Sequence, residues 1–109
     1  MRDGERSNPS RLTVLCFEEC PNASPMIRAA QDAVAMLGPE WELELVDLTT
    51  LADTDTRRGF GSPTILHQGR DLFGFDQPST TTLSCRVYDG GLPSSADIAR
   101  AAQNFDVQH

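Results

Sequence analysis

Residues 12–25 read Leu12-Thr13-Val14-Leu15-Cys16-Phe17, then Glu18-Glu19-Cys20-Pro21-Asn22-Ala23, then Ser24-Pro25. The first six form an almost unbroken apolar run. Such a run suits a strand covered on both faces, in the middle of a parallel or mixed sheet. The polar turn that follows leads into a helix, with Ser24 able to cap it and Pro25 suited to its first turn. Met26, Ile27, Ala30, Val34 and Leu37 recur at helical spacing, and Gly38-Pro39 stops the helix. The spacing therefore predicts a helix over 24–37 with one apolar face.

Outward from this unit, Trp41, Leu43 and Leu45 alternate with Glu42 and Glu44. Period two with one wet face predicts an edge strand, and the glutamates discourage pairing with another edge. Residues 48–59 are rich in Thr and Asp and allow a short helix anchored by Leu48 and Leu51. Gly61-Ser62-Pro63-Thr64-Ile65-Leu66-His67 reads as a break followed by a strand. Gln68-Gly69 supplies a tight turn, and Asp71-Leu72-Phe73 returns as the second strand of a hairpin. Residues 74–92 fit no template apart from Arg86-Val87-Tyr88, and a loop this long in a small domain is usually functional or disordered. Ser94-x-x-Asp97 makes a capping box for a closing helix whose buried stripe is Ile98, Ala99, Ala102 and Phe105.

The resulting order, β-α-β-(α)-β-β-α, predicts a right-handed βαβ unit followed by an antiparallel hairpin and a helix. The expected fold class is α/β. It has a four-stranded mixed sheet in the order 2-1-3-4, with residues 12–17 central, 41–46 at the edge and helices on both faces.

The chain of 109 residues makes one domain with room for a modest core. Residues 1–10 read as a disordered polar arm and 11–109 as the domain. A hydrophobic fraction of 39% against 23% charged residues excludes the disordered class. The net charge of −7 argues against a nucleic-acid binder and against docking on an anionic membrane. No apolar stretch is long enough to span a bilayer, and residues 1–10 lack the apolar region of a signal peptide, so the expected location is the cytoplasm. Three cysteines exclude a fully paired disulfide framework, and cytosolic thiols stay mostly reduced.

Those cysteines are the residues that can carry chemistry. Cys20 stands at the amino end of the first helix, where unsatisfied N–H groups and the helix dipole favour the nucleophilic thiolate. Glu18 and Glu19 act against it. Cys16 lies in the core run, where a free cysteine behaves as a small hydrophobe, so Cys20 is expected to alkylate faster than Cys16. Cys85 lies in the irregular segment beside Arg86, a guanidinium able to lower its pKa. Cys16-x-x-x-Cys20 falls within zinc-ligand spacing, but structural zinc wants four ligands, and three thiolates suit a softer ion. His67, alone in a strand, reads as a surface or half-buried side chain. Residues 53–55 lack the spacing of a calcium loop, and Gly59-Phe60-Gly61 lacks the lysine and helix of a phosphate loop. No nucleophile elbow supports Ser-His-Asp hydrolysis. No metal site and no cofactor are assigned.

Cys20-Pro21-Asn22-Ala23 after the first strand, and Ser62-Pro63-Thr64 opening the third, resemble the thioredoxin-like superfamily. In that fold a cysteine at the amino end of the first helix faces a cis-proline loop. The resemblance covers residues 11–105. The Cys-Pro turn, residues 61–66 with 69–73, and residues 84–88 are similar to a small bacterial thioredoxin-like family. Some of its members carry the label alkylmercury lyase or sit beside mercury-resistance functions. The resemblance implies a catalytic Cys20 and a cis Ser62–Pro63 peptide near it. It also implies that Ser62, Pro63 and Thr64 form the edge that binds an extended substrate.

Ala23 stands where the superfamily's Cys-x-x-Cys has its second cysteine. That leaves Cys20 as a monothiol, or as a dithiol with a catalytic Cys85 folded back over the sheet. The implied function is thiol-disulfide oxidoreduction, with a protein or small-molecule thiol or disulfide as partner. The alternative is capture of a thiophilic, mercury-type metal ion through Cys20 with Cys85 or Cys16.

Overall fold

Burial alternates along the first strand and so sets the layers. In β1 (Ser10–Cys16), Leu12 and Val14 face one cluster and Leu15 faces another. The structure, a computed structural model, describes residues 10–74, 78–88 and 90–105. The arm expected over 1–10 lies outside the described residues except for Ser10, which opens β1.

β1 pairs in parallel with β2 (Trp41–Asp47), from Ser10↔Trp41 to Cys16↔Asp47. On its other side β1 pairs antiparallel with β3 (Thr64–His67), which pairs antiparallel with β4 (Arg70–Asp71). The sheet order is β2-β1-β3-β4, as the contrast between an unbroken apolar run and an alternating one predicts. The hairpin turn has positive φ at both Gln68 and Gly69, the backbone a two-residue turn needs to follow the strand twist. β4 is shorter than the expected 71–73. Asp71 accepts the Phe73 N–H on its own carboxylate and the Gly74 N–H on its carbonyl, which turns the chain away. Leu72 still donates to Ile65.

Both α-helices cover one face. α1 (Ala23–Leu37) buries Ala23, Met26, Ala30 and Ala33; α2 (Ser95–Gln103) buries Ile98, Ala99 and Ala102, and the two pack together over Leu12, Val14 and Ile65. The helix of α1 begins one residue before the expected position. Asn22, not Ser24, takes the cap position, without a side-chain bond to the backbone. The capping box of α2 forms as its sequence predicts, through Ser94 and Asp97.

Helical cover on the second face is of a different kind. Two 3-10 helices, Leu48–Thr50 and Thr56–Phe60, lie there, and Leu48, Leu51 and Phe60 pack with Leu15 and Leu66. Asp47 and Asp55 start these short helices by accepting the Thr49 and Arg57 amides. The other half of this face is polar: Arg11 and Thr13 of β1 bond Glu42 and Glu44 of β2. Leu45 departs from the expected pattern. It sits at the edge beyond the reach of the core and is 51% exposed, whereas Val46 packs on the second face instead.

Candidate active site

The register of β1 against β3 decides which loops meet. Leu15 pairs with Thr64, so the residues just after β1 and just before β3 emerge at the same sheet end. The backbone amide of Phe17 donates to Ser62 Oγ at 3.2 Å. The chain then turns, with Cys20 N bonded to the Phe17 carbonyl at 3.0 Å and Ala23 N bonded to the Cys20 carbonyl at 3.1 Å. This turn aims Cys20 Sγ at the Ser62 carbonyl, to which it donates at 3.3 Å. The Ser62–Pro63 peptide is cis. Cys20 is 3% exposed.

The segment 78–88 crosses the same end of the sheet. It docks first on the second 3-10 helix, where Arg58 Nε donates to the Thr81 carbonyl at 3.0 Å. Gly59 permits the approach: a Cβ there would lie 1.9 Å from the Thr80 carbonyl oxygen. Next comes a parallel bridge in which Ser62 pairs with Cys85. Ser62 N donates to the Ser84 carbonyl at 2.9 Å, and Arg86 N donates to the Ser62 carbonyl at 2.7 Å. Ser62 thereby bonds to three stretches of chain at once.

Side chains beyond the bridge alternate. Cys85 and Val87 are exposed, Arg86 is buried and Tyr88 is half-buried. The Arg86 guanidinium forms a buried ion pair with Asp71, donates to Thr64 Oγ1 at 3.2 Å and lies 4.3 Å from the Tyr88 ring centroid. The Tyr88 hydroxyl donates to the Pro63 carbonyl at 2.7 Å. Burial pushes that phenol up to about 12. Thr64, itself buried, donates to the Gly61 carbonyl at 2.8 Å. These bonds lock residues 84–88 to the cis-proline loop.

Cys20, Ser62, Pro63 and Cys85 are thus brought together, with Cys16 nearby. Cys20 is the first of the influences that raise the Cys85 thiol above its ordinary value. The expected help from Arg86 is absent, because its guanidinium points inward to Asp71 while Cys85 points out. Cys16 is raised too, first by burial, then by the negative charge of Asp47 and by Cys20. Its side chain packs against the helical face, as the core reading of that run implies.

Three expectations change. The peptide groups of Ser62 are not an open edge, since residues 84 and 86 of the chain itself occupy them. Cys20, expected to alkylate faster than Cys16, is the more buried of the two. His67 is neither surface nor half-buried. At 8% exposure it lies between the rings of Trp41 and Phe105 and bonds the Arg11 carbonyl through Nδ1 at 2.9 Å. Arg11 stands near the start of β1, whereas Cys20 follows its end, so His67 is remote from the cysteines.

Among the described residues no group of three or more His, Cys, Asp or Glu side chains is placed to hold a metal ion. None of their helices is long and apolar enough to cross a membrane. The residues that sequence reasoning missed are Asp71 and Gly59. A buried acid opposite Arg86 leaves no trace in a hydrophobic pattern, and Gly59 looks like any loop glycine until the 78–80 segment is laid on it. Comparison with protein-family models, with curated proteins and with solved structures finds no match.

Proposed function

We propose that this is a cytoplasmic thioredoxin-like thiol-disulfide oxidoreductase in which Cys20 and Cys85 are the redox pair. One observation carries the reading. The Cys20 thiol is hydrogen-bonded to the carbonyl of Ser62, and Cys85 is bridged to that same residue. The pair substitutes for Cys-x-x-Cys. Ala23 cannot resolve a mixed disulfide, but a sulfur brought in from the far side of the cis-proline loop can. The strand order and the cis peptide before β3 support the same reading.

In the cycle a partner disulfide gains two electrons and two protons and becomes two thiols, while the Cys20 and Cys85 thiols become a disulfide. Two low-mass thiols, or one dithiol, then reset the pair by giving up two electrons and two protons and becoming a disulfide. Dithiothreitol-driven reduction of insulin tests the activity. The wild type is expected to accelerate it, and Cys20→Ser and Cys85→Ser each to return it to the uncatalysed rate. A wild type no faster than dithiothreitol alone would contradict the proposal.

A further inference from the structure

Accepting that pair, we infer that Cys85, and not Cys20, is the sulfur that meets the partner, with Cys20 resolving from beneath. This reverses the order that the position of Cys20 before the first helix suggests. Cys20 is 3% exposed, and its Sγ is turned inward onto the Ser62 carbonyl. An external disulfide or thiolate needs a line of approach to the sulfur it attacks, and a sulfur this buried offers little. Cys85 is exposed.

The segment that carries Cys85 is not a loose flap. Two backbone bonds to Ser62, the buried Arg86–Asp71 ion pair and the Tyr88–Pro63 bond all hold it. Lifting it away would break all of them together. Attack at Cys85 breaks none. Val87, 83% exposed two residues on, gives the partner an apolar contact on the same side.

The steps balance in either direction. In reduction, the Cys85 thiolate attacks one sulfur of the partner disulfide; the other sulfur leaves as a thiolate and takes a proton. Cys20 then loses its proton and attacks Cys85 Sγ, forming the Cys20–Cys85 bond and expelling the second partner thiolate. In the reset, a low-mass thiolate attacks Cys85 Sγ and expels Cys20. A second thiolate attacks the mixed disulfide at the low-mass sulfur, frees Cys85 and departs as a low-mass disulfide. Every mixed disulfide is carried on Cys85.

The test uses the reduced, folded wild type with limiting iodoacetamide near neutral pH, followed by peptide mapping of the first adduct. Cys85 is expected to carry it over Cys20 by about tenfold or more, because access outweighs the raised value of its thiol. Equal labelling, or labelling that favours Cys20, would overturn the order. A second arm uses an aromatic disulfide, dithiobis(nitrobenzoate). Cys20→Ser should hold a lasting adduct on Cys85, whereas Cys85→Ser should react at Cys20 about tenfold more slowly. A Cys85→Ser protein that reacts at Cys20 as fast would also overturn it. Mild oxidation of the wild type separates this inference from the proposal beneath it. Failure to form a Cys20–Cys85 link defeats the redox pair itself. A link that forms while the first adduct falls on Cys20 defeats only the order.

Discussion

Cys20 Sγ donates to the carbonyl of Ser62 at 3.3 Å, joining two residues 42 positions apart in the chain. That carbonyl also accepts the Arg86 amide, so a single oxygen ties the first helix's entrance turn to the segment carrying Cys85. The placement of the sulfur pair depends on whatever holds Ser62 and residues 84–88 together.

Arg86 is the first such holder. Its ion pair with Asp71 is buried, and removing one partner leaves the other charge in a low-dielectric site. Arg86→Met is expected to cost about 3–5 kcal/mol in urea unfolding. Adding Asp71→Asn should recover part of that loss, because the stranded carboxylate is gone. An Arg86→Met protein as stable as wild type would show that the pair does not anchor the segment.

Gly59 is the second. A methyl group at this position would overlap the Thr80 carbonyl, a backbone atom that cannot rotate aside. Gly59→Ala should push residues 78–81 off the second 3-10 helix and cost about 1–3 kcal/mol, the usual range for overpacking. Hydrogen exchange should quicken at Arg86 N, whose acceptor is Ser62. Unchanged stability and unchanged exchange would contradict the contact.

Tyr88 supplies a pH signature. It is the chain's one tyrosine, so its ultraviolet titration is unambiguous. The phenol is pushed up to about 12, chiefly by burial, against an ordinary value of about 10. Between those values the unfolded chain releases the phenolic proton while the folded chain keeps it. Stability is therefore full below the ordinary value and falls as pH rises toward about 12. Tyr88→Phe should flatten that part of the alkaline slope and cost about 0.5–1.5 kcal/mol through loss of the bond to Pro63. A wild-type midpoint near the ordinary value would show that the ring is not buried.

The sheet was legible because its strands differ in periodicity. Residues 12–15 leave no polar face except Thr13, whereas 41–44 alternate strictly, which separates centre from edge. The final helix announced itself through Ser94 and Asp97, two side chains with a local partner apiece. Residues 78–85 carried no such signal, and Arg86-Val87-Tyr88 only a short one. Their order comes from contacts with Gly59, Ser62 and Asp71, all distant in sequence, and no local pattern encodes a distant partner. The burial of Cys20 was hidden for the same reason, since the partner of its thiol, Ser62, lies 42 positions away. Cys16 was readable as a core residue because the run around it is apolar on both sides.

Peptide mapping of the mildly oxidised monomer decides whether Cys20 and Cys85 are the redox pair. The reduced protein is oxidised, remaining thiols are blocked by alkylation, and the digest is weighed without reduction. The expected result is a linked pair of peptides joining Cys20 to Cys85, with Cys16 alkylated. A Cys16–Cys20 link, or three alkylated cysteines, would contradict it.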